Sequence, residues 1–276
     1  EEYSTLVDKV SLDTSVEEEI YSPNVKELVT KRFSADNVIG LAPKSLNDKL
    51  DNNVTPGTHI ILAARPEAGK TAAAVNMMCG AAHKGHKVLY YANEEPIVNT
   101  ILRCVSNFSG MTVKEIKEQP EKAQQIADDR GLQNIAFVYA SANTPAEIRA
   151  LAKKHEPKLL IVDQLRGLNM AVDGLTELLE RGSKAMRDIA AQQHCVVVSI
   201  TQAGESAQGK AVLTMSDIDS SKTGIQGACD VLILMGNNLE LSNTGRRCFN
   251  LCKNKLSGDH SSWYVNLNEQ LSRITD

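Results

Sequence analysis

An apolar run, "HIILAA", leads directly into "ARPEAGKT" and then into the small-residue stretch "AAAVNMMCGAAHKG". Residues 64–71 follow the spacing A/G-x-x-x-x-G-K-T, at a point where a strand ends and a helix begins. No other feature constrains the fold as strongly. A glycine at 69 lets the backbone approach a phosphate closely. Successive amide groups then turn inward, and the following helix adds the positive end of its dipole. Ala64, Arg65, Pro66, Glu67, Ala68 and Gly69 are therefore the expected cradle of a nucleotide triphosphate, ATP or another NTP. Lys70 reaches its β- and γ-phosphates, and the Thr71 hydroxyl is the expected Mg²⁺ ligand. The competing reading is an ordinary loop with a surface lysine.

The rest of the chain alternates in a way that suits this corner. Strands are predicted over 87–93, 135–140, 158–163, 195–201 and 230–235, with helices over 70–84, 96–109, 112–130, 144–155 and 174–193. Nearly continuous apolar strands separated by helices predict an α/β fold, with a mostly parallel sheet covered on both faces. "RRCFNLCKNK" and "SSWYVNL" predict antiparallel strands added at one edge near the C-terminus. Ser45 in "SLNDKLDN" is an expected helix cap, and Thr144-Pro145 opens a helix with a cap and a first-turn proline. Residues 1–37, broken at Pro23, form an arm distinct from the domain over 38–276.

Ligands of such a sheet sit at the carboxyl ends of its strands. "LLIVD" ends in Asp163, a carboxylate placed to hold Mg²⁺ opposite Thr71; the alternative is a turn or cap aspartate. "LYYANEE" ends in Glu94 and Glu95. Glu94, the first past the strand, is the expected base for the attacking water; alternatively both acids favour the start of the next helix. "VVVSITQ" ends in Gln202, whose amide can sense a γ-phosphate. The loop behind it, "AGESAQGKAVLTMSDIDSSKTG", is long and polar, and loops of that length are uncommon unless functional. A plain flexible connection is the alternative.

Composition excludes some partners. The chain has 276 residues, 30 basic and 34 acidic, for a net charge of −4. A uniformly basic nucleic-acid surface is excluded, though a local basic loop is not. With 4% aromatic residues, a base-stacking platform is not expected. No apolar run reaches the roughly 18 residues of a membrane span, so no membrane partner is expected. None of the six cysteines forms a Cys-x-x-Cys pair. Cys248 and Cys252, four apart on a predicted strand, would have Cα atoms about 13 Å apart, too far for a disulfide. Reduced thiols and a cytoplasmic location follow.

Together these pieces resemble the RecA-like motor domain of DnaB-type replicative helicases, a P-loop NTPase, over roughly residues 38–268. The most specific element is "AARPEAGKT", with Arg65-Pro66 ahead of the loop. "LYYANEE" resembles the strand that carries the catalytic glutamate (Glu94), "LLIVDQL" the second nucleotide motif (Asp163), and "SITQ…MSDI…GACDVLILM" the third (Gln202). In "CKNKLSGDHSSWYVNL", Lys253 and Lys255 match two cations, two residues apart, that reach a neighbouring subunit's nucleotide. Residues two apart on a strand share a face. The second cation is usually arginine, so Lys255 departs from the pattern, and Arg246 or Arg247 is an alternative finger. Without the resemblance, these cations read as a solvated strand edge. Ala64 and Gln164 are smaller departures.

The resemblance implies a hexameric ring that hydrolyses ATP between subunits and moves along single-stranded DNA, with primase and other replisome proteins as possible partners. Lys210 and Lys222, in the loop after Gln202, are the expected DNA contacts. The arm at 1–37 is expected to act as a linker packed on the next subunit. Two alternatives stay open: a RecA/RadA-like recombination ATPase, and a nucleotide-binding interaction module with weak catalysis.

Overall fold

Strands with almost unbroken apolar runs need cover on both faces, and the chain supplies it by sending alternate residues to opposite layers. The computed structural model describes residues 24–218 and 224–276. In it, strand β1 (His59–Ala64) is buried along its whole length. Its Ile60, Leu62 and Ala64 join one core, and its Ile61 and Ala63 join the other. β2 (Val88–Ala92), β4 (Leu159–Asp163), β5 (Val196–Gln202) and β6 (Val231–Gly236) are buried in the same way, while β3 (Ile135–Tyr139) is a half-covered edge. The order across the sheet is β3-β2-β4-β5-β1-β6-β7-β8-β9. The first six of these pair in parallel. β7 (Arg246–Asn254), β8 (Ser262–Asn268) and β9 (Arg273–Thr275) extend the sheet antiparallel, as the C-terminal pattern predicts.

Helices α1 (Val25–Arg32) and α2 (Lys44–Lys49) precede the sheet. One face is covered by α2 together with α3 (Lys70–His83), α4 (Ile97–Ser109), α5 (Val113–Glu118) and α6 (Pro120–Asp129). These bury Leu46, Met77, Phe108, Ile116 and Ala123 against the strands. The other face is covered by α7 (Pro145–His155), α8 (Leu175–Gln192) and α9 (Gly224–Ala228), through Ile148, Met186 and Ile225. A short α10 (Leu239–Asn243) follows β6. None of the helices described is long and apolar enough to cross a membrane. All six cysteines are unpaired.

Three local expectations meet the structure differently. Thr144 caps α7 as expected, its Oγ1 accepting from Glu147 N at 3.2 Å. Ser45 is not a cap. α2 begins at Lys44, behind Pro43, and Asp276 near the C-terminal edge accepts from Ser45 N at 3.1 Å; the Ser45 hydroxyl instead accepts from Trp263 Nε1 at 2.9 Å. The helix predicted over 112–130 is two helices, because Pro120 has no N–H to continue α5 and instead starts α6. Most of the arm over 1–37 lies outside the described residues. Its described helix, α1, has no buried residue, and Val25, Val29 and Phe33 are exposed.

One buried group gives the core a pH dependence. His59 opens β1 fully buried, with Nδ1 donating to the Ala228 carbonyl and Nε2 beside Ser199 Oγ, each at 2.9 Å. Burial pushes the imidazole down to about 4 from 6.5. The unfolded chain therefore takes a proton as pH falls below 6.5, while the folded chain stays neutral until about 4. Between those values stability falls with pH, by on the order of 3 kcal/mol. Denaturant unfolding across pH 7 to 4 should show this loss, and His59→Gln should remove most of it.

Candidate active site

The parallel registers bring five strand ends to one edge of the sheet: Ala64 lies opposite Gln202 and Met235, and Ala92 lies opposite Asp163. Here the chain leaves β1 through residues 65–69 and re-enters the fold as α3. Glu67 (φ 62°) and Gly69 (φ 105°) both take left-handed backbone within that turn. Gly69 is constrained twice, since a Cβ there would lie 3.0 Å from Leu267 Cδ2 on β8. Arg247, on β7 and only 2% exposed, braces the loop. Its Nε donates to the Ala68 carbonyl, Nη1 to the Arg246 carbonyl and Nη2 to the Glu269 carboxylate, each at 2.8 Å. Arg247 therefore serves its own phosphate loop, and the expectation of it as a finger for a neighbour is corrected. Arg246, which stacks 4.8 Å over the Tyr264 ring, sits at the same end of β7 and is likewise on its own subunit's loop side.

A cavity of about 450 Å³ opens at this corner. Pro66, Glu67, Gly69, Lys70, Thr71, Glu94 and Gln202 line it, so the expected phosphate-loop residues, base and sensor converge. Lys70 is 9% exposed. Burial holds its ammonium below the usual lysine range; Glu94 and Asp163 oppose that, while Arg166 and Arg65 add to it. Asp163, 3% exposed, accepts from the Tyr90 hydroxyl at 2.8 Å. Burial pushes its carboxyl up to about 6, with Glu94 adding to the rise and Lys70 and the Tyr90 bond opposing it. A desolvated carboxylate and the Thr71 hydroxyl are oxygen donors of the kind a hard divalent cation takes, so the residues present fit Mg²⁺.

The neighbouring amides fix these groups. Gln164 Nε2 donates to Glu94 Oε2. Asn93 in turn accepts from Gln164 N at 2.5 Å and donates to its carbonyl at 2.8 Å. Gln202 Oε1 accepts from Arg166 Nη1 at 2.9 Å. Arg65 turns away from the cavity and donates to the Ala203 carbonyl and to Gln208 Oε1, both at 3.3 Å, joining the phosphate loop to the loop after Gln202. That second loop lies close over the end of β6, where a Cβ on Gly236 would come within 2.0 Å of the Ala211 carbonyl.

Lys253 and Lys255 are not part of this cavity. β7 runs antiparallel to β6, so Lys253 lies opposite Leu232 while Ala64 lies opposite Met235. The two lysines are therefore about 10 Å or more down the sheet from their own phosphate loop. A bulge at this end of β7 shifts the register between Leu232 and Ile233. Lys255 Nζ lies 3.6 Å from Asp230 Oδ1, which Arg187 Nη2 also approaches to 3.4 Å. Lys253 shares this cluster; burial lowers its ammonium, and Lys255 and Arg187 add like charge. Lys210 is half-exposed and pairs with the buried Asp217 at 2.6 Å. Lys222 lies outside the described residues.

Four further groups belong to this site. Arg103 also lines the cavity and pairs with Glu95 at 3.0 Å; it is the sole charge on α4, which was a readable signal. Arg166 follows Asp163 by three positions. Leu267 and Glu269 come from the C-terminal hairpin, and nothing local in their sequence marks them.

The DnaB-like helicase C terminal domain model matches residues 44–259. A relative from Pasteurella multocida (strain Pm70), "Replicative DNA helicase DnaB", is 24% identical over 227 residues, covering 76% of this chain and 49% of its own length. The chain thus spans about half of that relative. Among solved structures, the "ATPase Domain of G40P" superposes with a TM-score of 0.76 at 17% identity, over 93% of this chain and 99% of that one. A DnaB-like replicative helicase whose structure was described with its interactions with primase gives 0.74 at 15% identity, over 99% of this chain and 71% of that one. These two establish the RecA-like fold.

The Arg247 brace generates a stability prediction. Arg247→Ala removes three hydrogen bonds and buried side-chain volume, and should destabilise the fold by about 3 kcal/mol in denaturant titrations. Arg247→Lys should recover only part, because one ammonium cannot span the three acceptors.

Proposed function

The chain belongs to the DnaB-like helicase C terminal domain family, and from that premise we propose that it is the motor of a replicative DNA helicase. It hydrolyses a nucleoside triphosphate, ATP or a close relative, between subunits of a ring, and uses the cycle to move single-stranded DNA. One observation carries this reading. The phosphate-loop cavity and the Lys253–Lys255 cluster lie at opposite ends of one sheet, so a copy stacked head-to-tail can add cations that its neighbour's site lacks.

In this mechanism the 65–69 amides and Lys70 bind the triphosphate at the start of α3. Thr71 and Asp163 would hold Mg²⁺, which would supply positive charge to offset that of the triphosphate. Glu94, held by Gln164, orients the attacking water and takes its proton. The Gln202 amide contacts the γ-phosphate and passes its presence or loss to the loop behind it. Lys253 and Lys255 of the adjacent copy steady the charge of the transferring group as compact ammonium ions. The loop after Gln202 contacts DNA through Lys222 and the outer side of Lys210, while Asp217 anchors Lys210 from within. α1 packs on the next copy, which covers the apolar side chains that α1 leaves exposed. A primase is a proposed partner, as for the solved relative described with one.

Two measurements test this. Hydrolysis followed with and without single-stranded DNA, over a range of protein concentrations, should rise with both. Glu94→Gln should keep ATP binding and lose about 10²–10⁴-fold in turnover; normal turnover would remove Glu94 as the base. Lys255→Ala should depress hydrolysis per subunit only where the protein is assembled. An equal loss at concentrations where it is monomeric would refute action across the seam.

A further inference from the structure

β4 and β5 are neighbours in the sheet; β5 ends in Gln202 at the cavity wall, and the loop after β4 reaches Gln202 from the side. Past Asp163 the β4 loop makes a tight turn over Leu165–Gly167 that carries Arg166. The turn is well anchored. Leu165 is fully buried in the core, Asn143 Nδ2 donates to the Gly167 carbonyl, and Asn93 Nδ2 donates to the Gln164 carbonyl at 2.8 Å. Arg166 is thus delivered from a fixed backbone to Gln202, at the tip of β5, where Nη1 donates to Oε1 at 2.9 Å.

A carboxamide has an accepting edge and a donating edge, and only the donating edge suits a phosphate oxygen. A guanidinium has no acceptor, so its bond can take only the carbonyl oxygen of Gln202. The amino group is then the edge left for the cavity that Gln202 lines. We propose that Arg166 is a positioning residue for the terminal phosphate: it locks the Gln202 amide with its N–H edge toward the γ-phosphate, and it ties the loops after β4 and β5 into one unit that responds to that phosphate. The inference rests on the nucleotide-site reading above.

The test is calorimetric binding of ADP and of a non-hydrolysable ATP analogue in which nitrogen bridges the β- and γ-phosphates. Wild type should prefer the analogue. Arg166→Met should erode that preference by about tenfold or more, the effect of losing a hydrogen bond to a charged group, while weakening ADP far less. Arg166→Lys should keep part of the preference, and it decides the matter if the Met variant does not fold. In a Gln202→Ala background, Arg166→Met should add no further loss, because the two residues act as one unit. An intact preference in the Arg166 variants, equal weakening of both ligands, or additive losses would each overturn the proposal. Wild type that binds neither ligand would overturn the nucleotide-site reading, and the Arg166 role with it. Wild type with a clear preference that Arg166→Met retains would overturn the Arg166 role alone.

Discussion

A lysine ammonium withdrawn from water is costly unless anions surround it, and the catalytic corner of this protein is arranged around that fact. Lys70 sits where β1 turns into α3, with Glu94 and Asp163 close enough to support its charge and Arg166 and Arg65 close enough to oppose it. Asp163 is also desolvated, and its carboxyl is pushed up by burial. Under the proposed function, a polyphosphate with its counter-cation would bring further charges of both signs to this corner.

Much of this corner is legible in the chain because it depends on neighbours in sequence. The spacing from Ala64 to Thr71 and the polar residues that end β4 and β5 follow from the period and direction of parallel strands. The contacts that hold the corner still are not local. Arg247 reaches Ala68 across 179 positions, and no strand pattern distinguishes a buried brace from a solvated edge cation. Leu267 matters because its Cδ2 would crowd a Cβ at Gly69 to 3.0 Å, a fact of packing alone. Ser45 departs from the expected cap for a similar reason: Asp276, far off in sequence, accepts from the Ser45 N–H instead. Pro120, by contrast, was a local breaker within the stretch expected to form one helix.

Departures from a family pattern also acquire reasons once neighbours are visible. Gln164 stands where an aromatic residue is more common, and its amide holds the Glu94 carboxylate. The polar substitution adds an orienting contact at the wall of the cavity. Lys255 shares Asp230 with Arg187, so its ammonium rests against a carboxylate in a single copy. A cation held this loosely can exchange one anionic partner for another without crossing a large desolvation barrier.

β7 connects these themes. Its beginning carries Arg247, fastened to the loop of its own subunit, and its end carries Lys253, with Lys255 just beyond. Six residues of extended chain separate Arg247 from Lys253, about 20 Å, and hydrogen bonds to β6 on one side and β8 on the other keep that segment from bending freely. In the proposed ring, one stiff strut would join the phosphate loop of its own copy to the triphosphate of the next, so a tilt imposed at either tip would be felt at the other. Successive compartments would then empty in a correlated order around the circle, with timing transmitted by the backbone itself.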